Sequence, residues 1–142
     1  MRTIALRFAD NFAPPEGTIA AHQQMIDKYG FVWYGKLGQA VSAAVLAEVM
    51  KADSPKILLI HSGSSQRYWA YIDSVQREAP PFTLIPEYYR DRSNDFKCWF
   101  RIKSFLTAPS DVMQHYAVVS SRKILSDASR LSMSPYFIIE PV

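Results

Sequence analysis

The stretch KILLIHSGSSQRYWAYIDSV, residues 56–75, decides the fold. Two β-rich runs, KILLI (56–60) and YWAYIDSV (68–75), flank the turn-forming HSGSSQR. Aliphatic, aromatic and β-branched residues fit a pleated surface, and Gly and Ser supply the bend, so the stretch predicts a β-hairpin with a longer loop. Immediately before it, Ser42 stands where it would cap a helix whose buried stripe is Val45, Leu46, Val49 and Met50, with Lys51 near its C-terminal dipole and Pro55 barring its continuation. Residues 31–34 suit a strand, and 35–38 supply the following turn. Further out, Ile19, His22, Ile26 and Tyr29 recur at helical spacing between Thr18, a plausible N-cap, and Gly30, a plausible stop. Residues 11–17, with two prolines, form a loop, and residues 3–9 alternate as a strand.

On the C-terminal side, Pro80, Pro81 and Pro86 make an irregular segment. In residues 96–105, Phe96, Cys98, Phe100 and Ile102 share one face of a strand, and Lys97, Trp99, Arg101 and Lys103 share the other. Pro109 and Ser110 open a short helix to about Tyr116, and Val118 and Val119 pair briefly. Ser126 caps another helix ending near Met133, Ser134 and Pro135 break it, and residues 136–140 make a final strand. Five or six unequal strands with helices inserted irregularly argue against a doubly wound parallel sheet. The pattern predicts an α+β fold: a small, mixed, curved, barrel-like sheet with helices packed at its rim. With no internal repeat or linker, residues 1–142 are expected to form one domain.

A chain of 142 residues, 49% apolar and 20% charged, has the balance of a globular protein that folds without metal or disulfide support. Sixteen Lys and Arg against thirteen Asp and Glu give a net charge of +3, which permits contact with nucleic acid without announcing it. The lone Cys98 rules out an internal disulfide or a Cys-based zinc cluster and fits a reducing, cytoplasmic setting. MRTIALRFADNF lacks the apolar run of a signal peptide, and no stretch has the roughly 20 apolar residues of a membrane span, so the chain is expected to be neither exported nor membrane-embedded.

Motifs that carry chemistry are sparse. GFVWYGKL (30–37) nearly spells a phosphate-binding loop, but Leu37 stands where magnesium needs a hydroxyl, and residues 31–34 make a strand where a cradle of amides is required. His61, Ser62, Ser64 and Ser65 suggest a hydrolase only on paper, since the pattern G-x-S-x-G is absent. A Cys98–His61 dyad is opposed by the position of Cys98 on the buried phase of its strand. His22, His61 and His115 lack metal-ligand spacing, so no metal or other cofactor is expected. His22 lies on the apolar face of its helix, as a boundary histidine or a hydrogen-bonder in a pocket.

The feature that stands out is a set of aromatic residues, Trp33, Tyr34, Trp69, Tyr71, Tyr88, Tyr89 and Trp99, interleaved with Lys36, Arg67, Arg90, Arg92, Arg101 and Lys103. Aromatic faces stack on bases while Lys and Arg hold phosphates. Period-two placement turns some rings inward, and at least half are expected to be core.

FVWYGKLG, KILLIHSGSSQRYWAYIDSV, KCWFRIKSF and SMSPYFIIEP, in that order, resemble the succession of elements in the PUA-like superfamily, nearest to its EVE and ASCH branches. The resemblance spans most of the chain and rests on arrangement and a few aromatic positions. It implies a pseudo-barrel with a concave pocket, used by EVE members for modified bases of DNA or RNA. On it, Trp33 and Lys36 border the pocket, Ser62 and Ser64 form the hairpin turn, Trp69 lies on the second hairpin strand, and Tyr88 and Tyr89 align by position. The implied function is a nucleic-acid-binding module: an aromatic wall receives the base, groups around Ser62 to Ser65 read its edge, and Arg67 and Lys36 meet phosphate. No catalytic residues are assigned and an enzyme is the less favoured outcome. The alternatives are a small ASCH-like amidohydrolase acting on a nucleoside through Lys36 and Glu140, and a protein-interaction module with exposed Tyr and Trp.

Overall fold

The computed structural model describes residues 2–11, 13–132 and 134–142, and all of their side chains except that of Arg92. Met133, the expected end of the last helix, and the Arg92 side chain, one of the expected basic groups, lie outside the described residues.

The strands are β1 (Thr3–Phe8), β2 (Val32–Leu37), β3 (Lys56–His61), β4 (Arg67–Gln76), β5 (Phe96–Thr107), β6 (Tyr116–Val118) and β7 (Tyr136–Pro141). The helices are α1 (Thr18–Tyr29), α2 (Ala43–Met50) and α3 (Leu125–Leu131), and a 3-10 segment covers Glu87–Asp95. All seven strands join one sheet in the order β2-β5-β4-β3-β1-β7-β6. The β1–β3 pair is parallel and the other pairs are antiparallel, so the sheet is mixed.

The expected barrel does not close: β2 and β6 stand at opposite ends of the strand order and share no ladder among the described residues. Yet the sheet bends strongly. Four strands separate β2 from β7, which in a flat sheet would hold them roughly 24 Å apart at about 4.8 Å per step. Instead the Lys36 ammonium on β2 lies 5.0 Å from the centre of the Tyr136 ring on β7. Register shifts at Lys36/Leu37 in β2 and between Tyr71 and Ser74 in β4 mark places where the ladder is irregular, and such irregularities bend strands and increase their twist.

Strand alternation sorts the core. Leu6, Tyr34, Leu59, Ile72 and Phe100 point to the concave side, where Leu46 and Val49 of α2 and Ile19, Met25 and Ile26 of α1 pack on them. Leu58, Ile60, Trp69 and Ile139 point to the other face, under Val112, Met113 and Leu125. A third cluster, Trp33, Ile85, Tyr89, Phe96 and Trp99, lies beneath the proline-bounded 3-10 segment. Each fully buried large apolar side chain contributes about 1.5–3 kcal/mol.

Several local expectations meet the structure with corrections. Ser42 Oγ accepts from Val45 N–H, the expected cap of α2, and Gly30 closes α1 in the left-handed conformation. Thr18 is the first residue of α1 rather than its cap; its N–H donates at 2.9 Å to Asp10, a carboxylate eight residues upstream. Ser126 falls inside α3, whose N-cap is Ile124 with no side-chain cap. Gly35 and Lys36 belong to β2 and not to a turn. The reason is packing: a Cβ on Gly35 would lie 2.6 Å from the Phe96 ring, so glycine lets two segments meet where turn chemistry would also place one.

Candidate functional site

The seam where the sheet approaches closure holds a cavity of about 300 Å³, within the lower range of small-ligand pockets. Leu6 and Phe8 of β1, Tyr34 and Lys36 of β2, Tyr88 and Tyr89 of the 3-10 segment, and Phe96 of β5 line it. The wall is an aromatic cluster: the Tyr88 and Tyr89 rings lie 4.7 Å apart edge to face, and Tyr89 is 4.6 Å from Phe96. Behind them His22 is fully buried, 5.3 Å from Tyr34 and 5.2 Å from Tyr89.

The polar atoms here are few and constrained. His22 Nδ1 lies 2.8 Å from the Thr18 carbonyl oxygen; a carbonyl only accepts, so Nδ1 carries the proton and Nε2 is left as an acceptor with no partner among the described residues. Burial pushes the His22 pKa down to about 4, against the Thr18 hydrogen bond, so the ring is neutral at pH 7. Burial raises the pKa values of the Tyr34, Tyr88 and Tyr89 hydroxyls, which therefore stay protonated and able to donate. The Tyr88 hydroxyl sits beside Thr18 and Tyr89 but makes no hydrogen bond of ordinary geometry. A buried donor left open normally awaits a water or a ligand.

Two cations border the cavity. Lys36 is only 5% exposed; its ammonium donates to the carbonyls of Leu37, at 3.1 Å, and Gln39, and burial lowers its pKa. Arg7 donates to the carbonyls of Ser129, Ser132 and Ser134, tying the end of α3 to β1.

Of the residues expected at a binding site, the structure brings together Lys36, Tyr88 and Tyr89. Trp33 and Trp69, 7% and 5% exposed, are packed into the third and second clusters. Ser62 and Ser64 stand in the exposed hairpin turn. Arg67 is folded back onto that turn, donating to the Ser64 and Gln66 carbonyls at 2.8 Å. Phe8 and Phe96 carry no site signal in the sequence, and Tyr34, one of the aromatic set, joins the cavity by the phase of β2: side chains alternate, so Lys36 shares its face with Tyr34 and not with Trp33.

Of the seven aromatic residues singled out, Trp33, Tyr34, Trp69, Tyr89 and Trp99 are buried. The exposed tryptophans of an interaction module are therefore not present, since all three, Trp33, Trp69 and Trp99, are core. Cys98 is fully buried and its thiol pKa is raised by burial, while His61 bonds Asp10 and Ser64. Nor does the structure join Lys36 to Glu140, whose carboxylate lies 3.5 Å from Arg2 Nε. Among the described residues no group of three His, Cys, Asp or Glu is placed to hold a metal ion, and no helix is long and apolar enough to cross a membrane.

A family model described as Pua-like matches residues 4–135, nearly the whole chain. No curated protein and no solved structure matches the chain.

Proposed function

This chain belongs to the Pua-like family, and from that premise we propose that it binds nucleic acid by receiving one base, altered or unusual, in the seam cavity. On this reading the rolled but open sheet is a pseudo-barrel whose unclosed seam is the binding mouth. The observation that carries it is the aromatic wall of Tyr34, Tyr88 and Tyr89 around a cavity bordered by Lys36, with a buried Tyr88 hydroxyl that makes no hydrogen bond of ordinary geometry among the described residues. A base in such a cavity gains about 1–3 kcal/mol per aromatic partner by stacking. Its edge is read by the few polar groups that are not already satisfied, and a base that pairs weakly leaves its own stack most cheaply. Lys36 supplies positive charge at the mouth. Trp33, named above from the sequence, packs in one cluster with the wall residues Tyr89 and Phe96, whereas Trp69 packs on the other face of the sheet. The single cysteine fits work on nucleic acid in the cytoplasm.

The test is fluorescence-detected binding to short single- and double-stranded oligonucleotides, of DNA and of RNA, with and without modified bases, at two salt concentrations. The expected result is binding that weakens with salt, favours one modified base and falls about tenfold in Tyr88→Phe, the loss of one ligand hydrogen bond. Failure of every oligonucleotide to bind at either salt concentration would sink the proposal.

A further inference from the structure

A second constellation lies outside the cavity, in the turn of the β3–β4 hairpin. Gly63 takes the left-handed conformation there, φ 95°, which glycine adopts without strain, and the chain reverses so that Ser64 faces back onto His61. Ser64 Oγ lies 2.8 Å from His61 Nδ1, and His61 Nε2 lies 2.7 Å from Asp10 Oδ2.

The direction of these bonds follows from the groups. Burial alone would raise the Asp10 pKa, but hydrogen bonds from the Thr18 N–H and from His61 hold it below the ordinary 3.8, so the carboxylate is ionised and only accepts. His61 must then donate from Nε2, which in the neutral ring leaves Nδ1 as a bare acceptor. The Ser64 hydroxyl therefore donates to Nδ1, and its oxygen also accepts from the Gln66 N–H at 3.2 Å. The result is a serine hydrogen-bonded to a base, and a base oriented by a carboxylate, in the order that activates a nucleophile.

Each member is held from behind. Asp10 is fixed by the N–H that starts α1. The Phe8 ring packs edge-on against His61 with centroids 5.1 Å apart. Arg67 is anchored on the Ser64 carbonyl and places positive charge beside the turn. Next to the pair His61 and Asp10 a groove of about 420 Å³ opens, with Phe8, Tyr68 and Phe105 giving it an apolar side.

The geometry points to a second activity, independent of base binding: hydrolysis of a carboxylic ester through an acyl-enzyme on Ser64, with the acyl chain in the Phe8–Tyr68–Phe105 groove. Ser64 Oγ adds to the ester carbonyl carbon as its proton passes to His61 Nδ1, and Asp10 stabilises the imidazolium. The bond to the alcohol oxygen then breaks, His61 returns the proton to the departing alkoxide, and the alcohol leaves. A water molecule attacks the acyl-Ser64 ester in the same way, giving its proton to His61. Collapse then releases the carboxylic acid, and His61 returns the proton to Ser64 Oγ. The sum is ester plus water to acid plus alcohol, with no other reactant.

The test uses two probes on the whole protein. A fluorophosphonate should form a covalent adduct that peptide mass spectrometry maps to Ser64. Hydrolysis of p-nitrophenyl acetate should fall about a hundredfold in Ser64→Ala and in His61→Gln, the scale of general base catalysis. Asp10→Asn should fall as well, but it also loses charge at the start of α1, so Ser64→Ala is the deciding variant. An adduct confined to other residues, or p-nitrophenyl acetate hydrolysis undiminished in Ser64→Ala, overturns the inference. Oligonucleotide binding by Ser64→Ala is read separately, so failure here leaves the cavity proposal standing.

Discussion

The seam cavity and the hairpin turn both gather groups able to hydrogen-bond a ligand, but they hold them in opposite ways. At the cavity the polar atoms are carried on strands, on α1 and on the 3-10 segment that follows Pro86, shut away from water, and two of them, His22 Nε2 and the Tyr88 hydroxyl, have no partner among the described residues. At the turn, Ser64 and His61 and the Asp10 carboxylate from the β1–α1 connection satisfy one another, and Ser64 is open to solvent. Buried groups are tied to the packing around them, so changing one acts on stability as well as on binding, except where only an atom without a partner is removed. In an exposed network the same change alters chemistry with little effect on folding.

The largest expected effect tests this coupling through pH. His22 has a folded-state pKa of about 4 against an ordinary 6.5, so the unfolded chain takes up the proton first. Its contribution is fully present above pH 6.5 and is lost as pH falls from there to about 4, by roughly 3 kcal/mol at 1.36 kcal/mol per unit. Asp10, which meets the turn from the β1–α1 connection, is shifted below 3.8, and what it contributes is lost only at lower pH, outside this window. Urea denaturation at pH 7, 5.5 and 4.5 should show the slope in the wild-type protein and a flatter one in His22→Gln. Equal slopes in the two would show that His22 is not held neutral by the aromatic cluster.

Next in size is Gly35→Ala. The added Cβ meets Phe96 Cγ at 2.6 Å, and Phe96 is both a core residue and a wall of the cavity. Overpacking of this kind costs about 2 kcal/mol, read from the shift of the urea midpoint. Oligonucleotide affinity should fall with it, because the displaced ring moves into or away from the base site. A destabilised protein with unchanged affinity would place the base elsewhere.

Tyr88→Phe sharpens the comparison from the other side. It removes a hydroxyl that makes no hydrogen bond of ordinary geometry among the described residues, so stability should hold or rise by up to about 1 kcal/mol. The affinity loss predicted above then stands out against an unchanged fold. A loss of stability beyond about 1 kcal/mol would mean that the hydroxyl is bonded within the protein and is not waiting for a ligand.

The contrast between these regions also explains what was legible in the sequence. Hairpin, helices and strand phases are local signals: the pattern in residues 56–75 yields β3 and β4 almost to their ends, and the alternation in residues 96–105 places Cys98, Phe100 and Ile102 inside. The cavity is not local. Its walls come from β1, β2, β5 and the 3-10 segment, brought together by the rolling of the sheet, which no spacing rule encodes. Part of the cavity was nevertheless readable. Trp33 and Lys36 are three apart in one strand and face opposite sides, so the residue that shares the Lys36 face is Tyr34. The same phase sends Trp69 away from Tyr68 and Ala70, into the cluster on the other face. The aromatic residues that stand out in the sequence are divided by this alternation among three clusters, Tyr34 in the first, Trp69 in the second and Trp33, Tyr89 and Trp99 in the third. The Asp10–His61 pair, 51 residues apart in the chain, had no sequence signal, because it depends on the parallel pairing of β1 with β3, which sets Phe8 opposite His61.

The smallest expected effect is on stability in Ser64→Ala. The residue is exposed, its hydroxyl spans His61 Nδ1 and the Gln66 N–H, and water replaces both partners when the side chain is removed. Gly63 still makes the turn, and the backbone bond from His61 N–H to the Gln66 carbonyl, 3.2 Å, still closes it. The change in unfolding free energy should therefore stay within about 0.5 kcal/mol, the usual range for surface substitutions, while reactivity toward the fluorophosphonate disappears. If Ser64→Ala instead costs as much as Gly35→Ala, the triad is a structural clasp holding the hairpin to the start of α1, and the division between a stability-coupled cavity and a stability-neutral turn fails. A small cost with lost reactivity keeps that division, because a hydroxyl that the fold does not need is then held in place by its position beside a base.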